Sequence, residues 1–185
     1  MTLAARVLGL HRALKQAAIP YAFGGAIALA YWTQDPRGTS DIDVNVFVPA
    51  GDNARVLEHL PAGVKIPPGT AERIAQDGQV RLWWDDTPVD LFFDYTQVHA
   101  DAFRHRAFVP FAGSQIPILG PTELAVFKAM FDRTKDWADI EEMIASDAVD
   151  LDAVRLLLTT MLSADDNRFV RLDDAQQRAG GRPPT

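Results

Sequence analysis

Leu3, Val7, Leu10, Leu14 and Ala17/Ala18 recur every three or four residues, the period of an amphipathic helix, and Pro20 stops that helix. Tyr21-Ala22-Phe23 is a short apolar run ending in Gly24-Gly25, after which Ala26 to Trp32 resumes as an apolar helix. The pattern therefore predicts a strand, a glycine turn and a helix. Thr33 to Ser40 is dense in turn formers and reads as a loop. Asp41 to Val48 then alternates, with Asp41, Asp43 and Asn45 on one face and Ile42, Val44 and Val46 on the other. That is a half-buried strand carrying its polar groups on one side. Pro49 to Asp52 reads as a turn, Asn53 to Leu60 as a short helix and Pro61 to Gly69 as a loop. Gln79 to Trp84 and Val89 to Tyr95 read as strands joined by the turn Asp85-Asp86-Thr87-Pro88. Further strands fall near Phe108 to Phe111 and Ile116 to Leu119.

After Gly120-Pro121 the pattern changes to helical periods. Thr122 is the expected N-cap of a helix running to about Phe131. Two more helices cover Lys135 to Ser146 and Leu151 to Leu162. The polar tail from Ala164 ends in GGRPPT, and its last residues are expected to be disordered. The expected class is α/β (α+β): a mixed sheet flanked by helices over residues 1–120, a helical segment packing on it over 121–164, and a polar tail over 165–185.

Composition narrows the chemistry. The 185 residues contain no cysteine, which removes disulfides, thiolate nucleophiles and cysteine-ligated zinc. No run approaches the ~18 uninterrupted apolar residues of a membrane span. Arg6, His11, Arg12 and Lys15 are spread through the N-terminal segment, unlike a signal peptide, so a cytoplasmic protein with no membrane partner is expected. The formal charge of -7 argues against broad attraction to nucleic acid while permitting a local basic patch.

The informative segment is GGAIALAYWTQDPRGTSDIDVNVFV. Glycines let the backbone approach a ligand, and the free N–H groups of a helix N-terminus can cradle phosphate. Asp41 and Asp43, two apart on a strand, project both carboxylates from one face. Two like charges held so close repel unless a cation bridges them, and hard oxygen ligands of this kind suit Mg²⁺ together with substrate phosphates. Asp90, within Val89-Asp90-Leu91-Phe92-Phe93-Asp94, stands in an apolar strand where an unpaired charge is expensive. A neighbouring strand with Asp90 beside Asp41 and Asp43 makes a two-metal site for in-line displacement.

Glycine pair, helix, Asp-x-Asp and later strand Asp together resemble the nucleotidyltransferase superfamily, of polymerase beta-like fold. Gly24 and Gly25 match its glycine pair, Asp41 and Asp43 its metal pair, and Asp90 its third acid. The second glycine-turn position is often Ser in that superfamily; Gly25 leaves any phosphate contact there to backbone amides. Within it the chain looks most like the bacterial AbiEii-type and MenT-type toxin nucleotidyltransferases, through Arg37, Thr39, Asp41-Ile42-Asp43-Val44, Phe127-Lys128-Ala129-Met130 and Lys135-Asp136-Trp137-Ala138-Asp139-Ile140. The resemblance spans roughly residues 5 to 145. It implies two Mg²⁺ ions, or Mn²⁺, held by Asp41, Asp43 and Asp90, with an NTP such as ATP as substrate. It also implies nucleotide-side roles for Gly24, Gly25, Arg37, Thr39, Lys128 and Asp139, with Asp136 as the alternative to Asp139. The acceptor it implies is tRNA, another RNA or a protein, with a cognate antitoxin as a further partner.

Each candidate has a plainer reading. Asp94 faces the same side of its strand as Asp90 and rivals it as the third ligand. Lys128 with Asp132, and Lys135 with Asp139, stand at i,i+4 and fit surface helix pairs; Asp136 fits a helix cap. Trp83, Trp84, Phe92, Phe93 and Phe127 fit core or pocket wall. His11, His59, His99 and His105 show no ligand spacing, and Arg104-His105-Arg106 fits a solvated turn better than a nucleic-acid contact. Two other functions share the fold: a binding module without turnover, and transfer to a small molecule such as an aminoglycoside.

Overall fold

The computed structural model describes residues 1–36, 38–94 and 97–181, the side chain of residue 97 excepted. It divides into two compact units, Met1–Ile27 with Arg37–Leu119, and Ala28–Pro36 with Gly120–Thr185. The first holds α1 (Leu3–Gln16), β1 (Tyr21–Phe23), the start of α2 (Gly25–Thr33), β2 (Ile42–Pro49) and α3 (Ala54–Leu57). It continues with β3 (Val64–Lys65), α4 (Thr70–Asp77), β4 (Gln79–Trp84), β5 (Thr87–Asp94), α5 (Gln97–His105), β6 (Ala107–Phe111) and β7 (Ser114–Ile118).

Strand alternation orients the sheet. Ile42, Val44 and Val46 of β2, Val89, Leu91 and Phe93 of β5, and Val80, Leu82 and Trp84 of β4 are all buried. Residues between them face the other side, because successive side chains leave opposite faces. The seven strands lie in the order β3-β4-β5-β2-β1-β7-β6. β2 with β5 and β1 with β7 are parallel, and the remaining neighbours antiparallel. The buried face joins Val7, Leu10 and Leu14 of α1 and Ile74 of α4 in the core.

The β4–β5 hairpin is tighter than the predicted four-residue turn. Trp84 pairs with Thr87, leaving Asp85 and Asp86 as the whole connection. Asp85 takes φ 53°, the left-handed region that short polar side chains tolerate. Buried Arg6 of α1 clamps this turn: one guanidinium nitrogen donates to the Thr87 hydroxyl at 2.8 Å, and the other lies 3.1 Å from Asp85 and 3.0 Å from Asp86.

Two helices absent from the sequence reading, α4 and α5, precede β4 and β6, and two-residue β3 falls inside the predicted Pro61–Gly69 loop. α4 starts and stops on left-handed glycines, Gly69 (φ 79°) and Gly78 (φ 68°); its eight residues span little more than two turns, too short for a clear period. Arg104 and His105 end α5 rather than forming a turn. Arg104 pairs with Asp101, and the Arg106 guanidinium stacks 3.9 Å above the Phe103 ring.

The second unit comprises the remainder of α2 with α6 (Pro121–Phe131), α7 (Thr134–Ala145), α8 (Leu151–Thr159) and α9 (Asn167–Gly180). α6 is capped at Gly120, with Pro121 in the first turn, rather than at Thr122; proline suits that position because its missing N–H has no helical partner there. α7 opens on a capping box of Arg133 and Asp136. The polar segment after Ala164 forms α9, tied to α6 and α7 by Arg171–Asp132 and Arg178–Glu141 pairs of 2.6 Å each. The disorder expected of the tail concerns residues 182–185, outside the described residues.

Among the histidines, His11 and His99 are buried while His59 and His105 are exposed. The Tyr21 hydroxyl lies 2.5 Å from His11 Nδ1. Burial first, then Lys15 and Arg12, lower the His11 pKa below its ordinary 6.5. The unfolded chain then binds a proton that the folded chain refuses, so stability declines as pH falls below that value. Thermal unfolding from about pH 7.5 to about pH 5.5 should show this decline, and His11→Gln should flatten it.

Candidate functional site

On the outward face of the sheet the register assembles one row of residues. β2 pairs with β5 so that Asp43 stands opposite Asp90, and β4 pairs with β5 so that Arg81 stands opposite Asp90. Neighbouring strands lie about 4.8 Å apart, and directly opposed residues share a face. Asp41 lies two residues earlier on the same face. Asp94 registers with Pro49, beyond an irregularity between Val46 and Pro49. Asp90, not Asp94, therefore stands beside Asp43.

The glycine turn closes the other end of the row. The Gly24 N–H donates to the Asp43 carbonyl at 2.9 Å, continuing the β1–β2 ladder to the residue before α2. Gly25 adopts φ 51°, and a Cβ there would meet Asp43 Oδ2 at 1.8 Å. Its backbone thus comes against the Asp43 carboxylate as no other residue type allows. Thr39 anchors Asp41, its hydroxyl donating to Oδ1 at 2.8 Å. Arg37 lies outside the described residues.

Arg81 is the residue that the motif did not announce. Its Nε donates to Asp90 Oδ1 at 2.7 Å and a terminal nitrogen to Oδ2 at 2.6 Å, a bidentate fork. The same nitrogen is 3.9 Å from Asp41 Oδ2. The hydrogen bonds it donates to Asp90, then the charges of Asp90, Asp41 and Asp43, outweigh desolvation and raise the Arg81 pKa. Asp41, Asp43 and Asp90 thus share this stretch of the sheet face with the Arg81 guanidinium. Among the described residues no three His, Asp or Glu side chains are gathered closely enough to hold a common metal ion, and both Asp90 oxygens are engaged by Arg81.

In chemistry alone, a set of carboxylate oxygens is of the kind that a hard divalent ion takes. Asp41 and Asp43, two residues apart, share a face with Asp90 of the neighbouring strand, and the guanidinium already marks the place as one that accepts positive charge. Trp83, 46% exposed, registers with Pro88 of β5 and with Lys65 of β3. An aromatic plane and a lysine therefore stand on this face on the β3–β4 side. Trp84 and Phe93 are buried in the core.

In the second unit Lys128 of α6 and Asp139 of α7 form a 2.6 Å ion pair, the lysine side chain 9% exposed. The Asp132 pairing considered for Lys128 is not made; Asp132 accepts from Trp137 Nε1 and Arg171 instead. Asp136 is occupied by its capping box, accepting from the Arg133 side chain at 2.6 and 3.1 Å.

A mixed sheet with its acids on one face and a glycine turn beside them defines a nucleotidyltransferase-type fold, and solved structures agree. The antibiotic-resistance factor ANT(2'')-Ia in solution superposes with a TM-score of 0.59 at 13% identity, covering 95% of this chain and 97% of that one. The crystal structure of ANT(2")-Ia in complex with adenylyl-2"-tobramycin gives 0.54 at 14%, covering 96% and 99%. An antigenic nucleotidyltransferase-like protein from Paracoccidioides brasiliensis gives 0.52 at 15%, covering 91% of each chain. No family model and no curated protein sequence matches this chain.

Gly25→Ala tests the turn. It should cost about 1–2 kcal/mol in denaturant unfolding through its positive φ and the clash. Because the clash is with Asp43, the double variant with Asp43→Ala should cost less than the sum of the two single changes.

Proposed function

We propose that this protein transfers a nucleoside monophosphate from an NTP to a hydroxyl acceptor, with Asp41, Asp43 and Asp90 as its metal-binding and catalytic carboxylates. The observation that carries this reading is the Asp43–Asp90 register, with Asp41 on the same face and the Gly25 backbone against Asp43. A place where three acids face one another is costly unless a cation answers them. Asp41, Asp43 and Asp90 would hold Mg²⁺ or Mn²⁺ there, which would supply neutralisation of triphosphate charge and polarisation of the reacting oxygens.

The chain's own residues supply the rest. Asp90 accepts the proton of the acceptor hydroxyl; that oxygen forms a bond to the α-phosphorus as the bond from the α-phosphorus to the bridging oxygen breaks, and pyrophosphate leaves with that bond's electrons. Thr39 fixes Asp41, and the turn at Gly24 and Gly25 lets the backbone at the start of α2 approach the phosphates. The resemblance assigns Lys128, paired with Asp139, to the nucleotide, and Arg37 to phosphate or the acceptor.

For the acceptor, Trp83 and Lys65 favour RNA or tRNA. A stacking surface flanked by positive charge suits an unpaired nucleotide better than a polycationic aminoglycoside. The resemblance to AbiEii-type and MenT-type proteins adds the reading of a toxin restrained by a cognate antitoxin, with a protein as the other macromolecular acceptor. Transfer to an antibiotic is supported by near full-length similarity to the antibiotic-resistance factor.

Incubation with each α-labelled NTP, Mg²⁺, and either total RNA, protein lysate or an aminoglycoside panel tests the reading. Label should enter RNA, and Asp43→Asn should reduce transfer by about 10²-fold or more with unfolding little changed. Full transfer by Asp43→Asn would overturn the mechanism. NTP binding by calorimetry without transfer to any acceptor would make the protein a binding module instead.

A further inference from the structure

Arg81 engages the third acid in a way that a surface ion pair does not require. Its fork occupies both Asp90 oxygens, at 2.7 and 2.6 Å, and reaches to 3.9 Å from Asp41. The two partners differ in freedom. The Asp90 side chain is 13% exposed and fixed on central strand β5, whereas the Arg81 side chain is 53% exposed on a long, flexible stem. If the pair opens, it is the arginine that moves, swinging into solvent while the carboxylate stays.

We infer that Arg81 is a tethered counter-cation for the carboxylate row, and that a divalent ion gains Asp90 only by displacing it. The inference rests on the metal role proposed above for Asp41, Asp43 and Asp90. Arg81 is a positioning residue: it acts through Asp90, not on the substrate. While the guanidinium holds Asp90, a metal meets a site with one ligand withheld, so its apparent affinity falls by the fraction of molecules in which the ligand is free. The guanidinium also offsets repulsion among the three acids before any metal binds. A plain cross-strand pair would stabilise the sheet to the same degree with or without metal.

The test is Mn²⁺ titration followed by electron paramagnetic resonance on the full chain without nucleotide, for wild type, Arg81→Gln, Arg81→Lys and Asp43→Asn. Thermal unfolding of each in chelator and in saturating Mn²⁺ accompanies it. Arg81→Gln should bind Mn²⁺ about five- to tenfold more tightly than wild type, with Arg81→Lys between them because lysine cannot form the fork. Arg81→Gln should melt below wild type in chelator, and Mn²⁺ should narrow or close that gap. Asp43→Asn should weaken Mn²⁺ binding, which reports on the metal site independently of Arg81. Mn²⁺ binding by wild type that is unchanged or weakened in Arg81→Gln would overturn the inference and leave the metal site standing. Absence of Mn²⁺ binding in both wild type and Arg81→Gln would overturn both.

Discussion

Everything at the candidate site hangs on the parallel pairing of β2 with β5. From Ile42 against Val89 to Val46 against Phe93 the register is continuous. Burial of Ile42, Val44 and Val46 with Val89, Leu91 and Phe93 holds it there. A slip of one residue in either strand would turn its apolar set to solvent and its acids into the core, a change that flips every side chain at once. Packing of one face therefore enforces the chemistry of the other. The acids need no local device to bring them together; the core places them.

Electrostatics then decides what that placement costs. Asp41, Asp43 and Asp90 share a face, and repulsion among them is met by Arg81 across the strands and by the Thr39 hydroxyl on Asp41. In the helical unit the opposite case holds. Buried Lys128 carries a charge that would be expensive alone, and Asp139 answers it at 2.6 Å. The buried charges described in each unit are thus matched within that unit, a common condition for keeping ionised groups out of water.

Much of this was legible before the structure. Strict alternation over 41–48 announced β2 and its polar face, and the glycine pair announced the strand-to-helix turn. Asp90 was separable from Asp94 only through register, because four residues apart on one strand they face the same way. Arg81 stayed hidden for a related reason. A four-residue turn at Asp85-Asp86-Thr87-Pro88 would set Arg81 opposite Phe92, whereas the two-residue turn sets it opposite Asp90. That turn depends on a left-handed Asp85 and on Arg6, far away in sequence. Helices α4 and α5, of eight and nine residues, were missed because so few turns leave little period to read, and α9 because its composition is polar and its apolar stripe narrow.

The hairpin has one more consequence. Because its turn is fixed at Asp85 and Asp86, the partner of the third acid always falls nine residues before it. The resting charge of the carboxylate row is therefore set in part at a position outside the row. A single codon there sets how much positive charge the site carries on its own, while every carboxylate oxygen of the row stays as it is. On the metal role proposed for the three acids, that separates tuning from chemistry: the metal requirement of the site would drift or be designed at Arg81 without touching the acids themselves.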